Sequence, residues 1–443
     1  MKKLNKFFAI LVAMAMVLSL TVISAFASED AGTNVGTLAT SKLVKELDIA
    51  DNVKTPAGTL TFTFAPADVT EVVEGVSKTT EKQTSGEVTL TKTITYEAGE
   101  TGSNGKLVKS FPMSDLFVLG AKPAEPAANT QYLDHAGVYI YEVTESNKTW
   151  ADATDTNASH QDSNAKYRLR IYVVNDDTAT TTGKLAVKAV TVEKLLNDAG
   201  QEETGVTGKK VPPTTTGSGN TEDGGFKFVN KYSKKVDGSQ TEDGALKFTK
   251  AVTGELGSKT DQFQFSLELT LPSTYDTALG TTFAYTNTNG TNGNAVFDAT
   301  SKKATFDFTL SDSDVLKFAV LPAGTTYTVT EKLDASTQVA NANLYTATAK
   351  SYTGTATAAN AAADAEGANL AVSSYVSDTL VGEEGAKALK NVVDYTNQYD
   401  KNNTTNTPTG ILISNLPYIV LALVAIGGLV AYVVVRRRQS DEA

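Results

Sequence analysis

The chain contains no cysteine. Neither a disulfide nor a thiolate metal site is open to it, so any reinforcement of an exported fold must come from elsewhere. Histidine is nearly absent as well: His135 and His160 are the only two. Neither stands at a ligand-like spacing, and no Gly-x-Ser-x-Gly elbow accompanies them. No metal, no cofactor and no conventional enzyme centre is therefore expected. Positive charge is in deficit too, with 39 Lys+Arg against 50 Asp+Glu, which disfavours nucleic acid as a partner.

What is present begins at the two ends. Lys2, Lys3 and Lys6 precede an apolar run from Phe7 to Ile23, and Ala25-Phe26-Ala27 supplies a small-x-small site. That order predicts a secretory signal peptide cut after Ala27, a retained first membrane helix being the alternative. At the other end Leu416 to Val435 is apolar and long enough to span a bilayer. Arg436, Arg437 and Arg438 follow it and would stay cytoplasmic. Just before the span stands Thr407-Pro408-Thr409-Gly410. Pro-Thr-Gly, apolar span and basic tail together resemble the cell-wall sorting signal that sortases cut between Thr and Gly, here Thr409 and Gly410. Pro408 directly precedes Thr409 and no leucine opens the motif, so it departs from the usual Leu-Pro-x-Thr-Gly.

Between the ends, short alternating runs rich in Thr, Val, Tyr and Phe are separated by Gly, Asn, Asp and Ser clusters. This predicts an all-β fold of tandem immunoglobulin-like β-sandwiches. The expected division is 1–27 signal peptide, 28–40 short N-terminal segment, 41–233 first domain, 234–243 polar linker, 244–400 second domain, 401–410 linker with the sorting motif and 411–443 hydrophobic span with basic tail. Trp150 to Asn164 and Lys210 to Gly225 read as loops, and Lys184 to Lys194 as a partner for the strand Tyr167 to Val173. Thr353 to Gly367, Ala/Thr-rich, is open to strand or helical turn.

One pattern occurs twice. Leu43-Val-Lys45-Glu-Leu47, Tyr139-Ile-Tyr141-Glu-Val143-Thr-Glu145 and Phe226-Lys-Phe228-Val-Asn230-Lys-Tyr232 are followed by Leu246-Lys-Phe248-Thr-Lys250-Ala-Val252, Tyr327-Thr-Val329-Thr-Glu331 and Val393-Asp-Tyr395-Thr-Asn397-Gln-Tyr399. Side chains alternate along a strand. Each lysine, glutamate and asparagine therefore falls on the apolar face of its strand, where an unpartnered polar group is costly. The alternative is that the lysines snorkel at strand ends and the asparagines bond locally.

The repeated pattern resembles the isopeptide-bonded domains of Gram-positive pilins and adhesins. The first copy is similar to the domain of the streptococcal T-antigen major pilin, the second to a collagen-adhesin B-type domain. The Tyr-x-Val-x-Glu box of those families is matched by Tyr141–Glu145 and Tyr327–Glu331. The resemblance implies that Lys45 joins Asn230 with Glu145 assisting, and Lys250 joins Asn397 with Glu331 assisting. Burial favours the uncharged form of each partner: the amine that attacks and the carboxyl that polarises the amide. It also implies a sortase as processing partner, and neighbouring pilin subunits or peptidoglycan as the group receiving Thr409. Membrane contact would precede processing, and the cell wall would be the final location. The family's Tyr-Pro-Lys motif is missing; Lys209 and Lys210, before Val211-Pro212-Pro213, are the candidate intersubunit lysines. A monomeric wall-anchored adhesin with an unidentified host ligand is the second reading. A wall-bound enzyme is the third, disfavoured because no chemistry beyond self-modification is visible.

Overall fold

The computed structural model describes residues 35–73, 76–81, 87–178, 184–202, 209–240, 243–334, 339, 342–354, 359–378 and 391–399. The expected signal peptide, Thr407, Pro408, Thr409 and Gly410, and the hydrophobic span lie outside them. Among the described residues no helix is long and apolar enough to cross a membrane.

The protein is all-β, each half built from two facing sheets. In the first half one sheet runs, in spatial order, Ala158–Gln161, Lys227–Asp237, Lys42–Asp48 and Lys106–Pro112. The other runs Lys209–Val211, Leu185–Leu196, Lys166–Asn175, Gly137–Trp150, Gly58–Pro66 and Leu90–Tyr96. In the second half Gly293–Val296, Thr282–Asn287, Val315–Phe318, Leu246–Thr253, Val392–Tyr399, Tyr345–Tyr352 and Ala359–Ala362 form one sheet. Lys303–Leu310, Phe263–Thr270, Thr326–Glu331 and Leu370–Tyr375 form the other.

Alternation explains the packing. Gly58–Pro66 and Phe263–Thr270 bury every second residue, sending Leu60, Phe62, Phe64 and Phe263, Phe265, Leu267, Leu269 inward. Aromatic rings then close the space between sheets, with Phe62 5.1 Å from Phe228 and Phe265 5.1 Å from Tyr395 between ring centroids.

In both halves the opening and closing strands are parallel neighbours. Lys42–Asp48 lies beside Lys227–Asp237, and Leu246–Thr253 beside Val392–Tyr399. A parallel pair needs a crossover connection, and here the crossover is the rest of the domain.

Three local expectations change. The 234–243 segment is not a free linker: to Asp237 it continues the closing strand, and Lys235, Val236 and Asp237 pair with Pro322, Leu321 and Val320 of the second half. Its backbone groups found an open edge there, and Val236 found cover. The contact extends to Ser159 Oγ, which donates to Asp276 Oδ2 (2.5 Å), and to the Asp276 N–H, which donates to Ser233 Oγ (2.9 Å). Gly324 sits here at φ +78°, where a Cβ would come within 2.9 Å of Ala50. Second, the loop read over Trp150 to Asn164 contains the strand Ala158–Gln161, which edges the closing strand. Third, Lys209 and Lys210 lie on a short edge strand paired with Leu185–Leu196 rather than in a loop, although both side chains are exposed. Leu185–Leu196 pairs with Lys166–Asn175, and Ala359–Ala362 is strand.

Candidate functional site: two buried Lys–Glu–Asn triads

Lys45 and Asn230 sit on adjacent parallel strands in which Leu47, not Lys45, is the register partner of Asn230. Lys45 and Leu47 share a face, so the lysine and asparagine side chains meet diagonally across two residues. The second half repeats this geometry, with Val252 opposite Asn397 and Lys250 two residues earlier. The glutamates come from the facing sheets, and each is paired with a phenylalanine of the neighbouring strand: Glu145 with Phe62, Glu331 with Phe265.

The distances are those of bonded groups. Lys45 Nζ lies 2.8 Å from Glu145 Oε2, and Asn230 Nδ2 donates to Glu145 Oε1 at 2.8 Å. Lys250 Nζ and Asn397 Nδ2 both donate to Glu331 Oε1, each at 2.6 Å. The lysine and glutamate side chains of both pairs are fully buried. Lys250 Nζ also lies over the Phe263 ring, 4.3 Å from its centroid. Burial pushes both lysines down to about 8, against the opposing pull of the glutamate beside each. The amine is thus far easier to present uncharged than on a surface lysine.

The two triads differ in their remaining contacts. Asn230 Oδ1 accepts from the Ser163 N–H at 2.7 Å, and Asn230 Nδ2 has a second acceptor, Asp162 Oδ1, at 3.1 Å. In the second half Asn397 Oδ1 is buried without a hydrogen-bond partner among the described residues. Asp162, Ser163 and Asp198, which bonds Ser163, were not legible in the sequence. They lie in loops whose composition signals a turn, and nothing in their spacing ties them to Asn230.

A β-bulge helps to shape the first site. Phe62 pairs with Glu145 and Thr61 with Asn147, leaving Ser146 as an extra residue. The bulge resets the alternation, and Lys148 reaches the 162–163 loop, donating to Ser163 O at 3.3 Å.

The remaining sequence candidates are not brought into either triad. Lys209 lines a groove of about 480 Å³ with Lys194, Asp198, Asp223 and Lys227. His135 is exposed beside Asp134, and His160 stacks on Trp150 and pairs with Asp152 at 2.7 Å, a packing role. Among the described residues no group of three or more His, Cys, Asp or Glu could hold a metal.

A family model described as a domain of unknown function (DUF7601) matches residues 244–369, a span that holds Lys250 and Glu331 and ends before Asn397. No curated protein matches the chain. Among solved structures, a mutant of the major pilin from Streptococcus pyogenes is 17% identical, with 81% of this chain and 99% of that chain covered and a TM-score of 0.29. The major pilin protein T-13 of Streptococcus pyogenes is 20% identical, at 83% and 100% coverage and a TM-score of 0.28. A pilus-presented adhesin is 14% identical, at 50% and 39% coverage and a TM-score of 0.21.

Proposed function

We propose that this chain is a structural subunit of a bacterial surface fibre, a pilin-type protein whose two domains are each closed by a Lys–Asn isopeptide bond, Lys45–Asn230 and Lys250–Asn397. The observation that carries this reading is the recurrence of one geometry: a buried lysine, an asparagine diagonal to it on the parallel neighbour strand and a glutamate touching both. A single buried ion pair is weak evidence of anything. Two triads with the same strand register are a constraint on chemistry, because reaction between an amine and an amide needs both groups held at contact in a dry site.

The chemistry follows from the contacts. Transfer of one proton from the lysine ammonium to the glutamate gives an amine and a carboxyl. The amine attacks the asparagine Cγ, and the carboxyl, which touches Nδ2, passes its proton to that leaving nitrogen. The C–Nδ2 bond then breaks, ammonia leaves and an amide joins the two strands. The chain performs no other chemistry in this reading. Intact mass of the mature protein tests it: the value should fall short of the sequence mass by two ammonia, and a full sequence mass would sink the proposal.

A pH dependence follows. The reactive amine–carboxyl pair is a tautomer of the ammonium–carboxylate pair, so both hold the same single proton. Burial brings the loss of that proton down to about 8. Crosslinking after folding should therefore run at a steady rate below pH 8 and fall by about tenfold per pH unit above it. Mass sampled over time at several pH values checks this. A rate that instead climbs through pH 8 would mean the amine alone limits the reaction and the carboxyl proton is idle.

Export, cleavage after Thr409 by a sortase, and transfer of its carbonyl to a neighbouring subunit or to peptidoglycan complete the proposal; the sequence of the two ends supports them. Lys209, exposed and lining a groove, is the proposed acceptor. Cell-wall extracts boiled in detergent should give a high-mass ladder that Lys209→Arg collapses to a single band. A ladder unchanged in Lys209→Arg moves the junction elsewhere, and a single band from the unaltered protein favours monomeric anchoring, as an adhesin would require.

A further inference from the structure

The first triad contains parts that the second does not, and they surround the atoms that react. The Ser163 N–H can only donate, so its 2.7 Å contact fixes the oxygen end of the Asn230 carboxamide. The nitrogen end is thereby turned toward Glu145 Oε1 and Asp162 Oδ1. Ser163 is itself firmly held. Its Oγ donates to Asp198 Oδ1 at 2.6 Å, and the same Asp198 oxygen accepts the Val229 N–H, next to Asn230, at 2.8 Å. Lys148 bonds Ser163 O, and the Asn164 N–H donates to Asp198 O at 2.9 Å. Ser163 and Asn230 are each 1% exposed, whereas the Asp162 side chain is 29% exposed. Asp162 thus touches the buried amide nitrogen from the solvent side.

Resting on the crosslink reading above, we infer that the first bond is made with two further catalytic groups, the Ser163 N–H as oxyanion donor and Asp162 as a second carboxylate at the leaving nitrogen, with Asp198 as the positioning residue. As the Lys45 amine bonds to Cγ, the carbonyl electron pair moves onto Oδ1, where the Ser163 N–H meets the developing charge. Nζ then loses a proton and Nδ2 gains one through a carboxyl. The carbonyl re-forms, the Cγ–Nδ2 bond breaks, and ammonia departs past Asp162 into water. An amine and a primary amide have become a secondary amide and ammonia, and no other reactant is consumed. The second site, whose Asn397 Oδ1 has no such donor among the described residues, depends on Glu331.

The test follows both bonds in the mature full chain made by cell-free synthesis, sampled over time by intact mass and peptide mapping. The second bond serves as an internal clock for folding. Asp162→Asn should slow the first bond by about tenfold or more, with Asp162→Glu close to the unaltered rate. Asp198→Ala should slow it on the order of a hundredfold, the scale of a lost oxyanion donor. Asp198→Asn, whose amide oxygen still accepts from Ser163 and Val229, should restore it. The second bond should keep its rate throughout. The inference is overturned if Asp162→Asn and Asp198→Ala both make the first bond at the unaltered rate, or if both bonds slow together, which marks a folding defect. Absence of any ammonia loss from the unaltered chain is a different result and removes the crosslink reading itself.

Discussion

A mature chain carrying Glu331→Ala is expected to regain the mass of one ammonia and to lose on the order of 10–20 °C from the unfolding transition of its second half. Two effects act together. The Lys250–Asn397 bond closes a loop of about 147 residues, and the chain-entropy expression for a crosslink of that length gives about 5 kcal/mol. The variant also leaves the Lys250 amine in a fully buried site without the acceptor it touches at 2.6 Å. Removing one member of a buried pair typically costs about 3–5 kcal/mol, here reduced because burial already makes the amine easy to neutralise. Lys250→Met compares the two effects: it abolishes the bond too, but the group left behind is a Glu331 carboxyl that still accepts from Asn397 Nδ2 rather than an amine stripped of its acceptor. It should therefore be less destabilising than Glu331→Ala. Calorimetry and intact mass on the two variants decide the matter. A Glu331→Ala chain with unaltered mass and unaltered transition would show that the triad is only a packed polar cluster.

That the six triad residues share apolar faces was legible because β-structure makes parity visible; which of them meet was implied only by the family resemblance. With side chains alternating, Lys45 between Leu43 and Leu47, or Asn397 in line with Tyr395 and Tyr399, has to share the apolar face whatever the rest of the fold does. The inward face of Glu145 and Glu331 follows from the same rule applied to Tyr141, Val143, Tyr327 and Val329, all buried, whereas their place on the facing sheets does not. What stayed hidden depends on partners distant in sequence. The strand Ala158–Gln161 exists because the closing strand offers it an edge, not because Ala-Ser-His-Gln favours extension. Val236 and the residues around it read as a linker because Lys234, Lys235 and Asp237 are polar, yet the edge at Val320–Pro322 recruits them. The Ser146 bulge and the Ser163 N–H contact leave no trace in composition, since a backbone donor has no residue-type signature.

Stretched between its ends, the unaltered mature protein is expected to show no unfolding step from either domain up to forces that break covalent bonds. The opening strand is pulled at its N-terminal end and the parallel closing strand at its C-terminal end, which loads their hydrogen bonds in shear. The proposed bonds bridge those same strands. Tension entering at Ser41 would cross from Lys45 to Asn230, follow residues 230–250, and cross again from Lys250 to Asn397. The only inner segment under load is then the one whose strand continues to Asp237 and pairs with Val320–Pro322. A Glu145→Ala chain, unable to make the first bond, should yield one new step. About 185 residues would be freed, adding roughly 600 Å of contour at the extended length per residue. Glu331→Ala should yield a shorter step in proportion to its smaller loop, and the double variant should yield both. Single-molecule pulling reads these lengths directly. A step of such length from the unaltered protein would mean that the strands are not joined and that the fibre draws its strength from something other than these two triads.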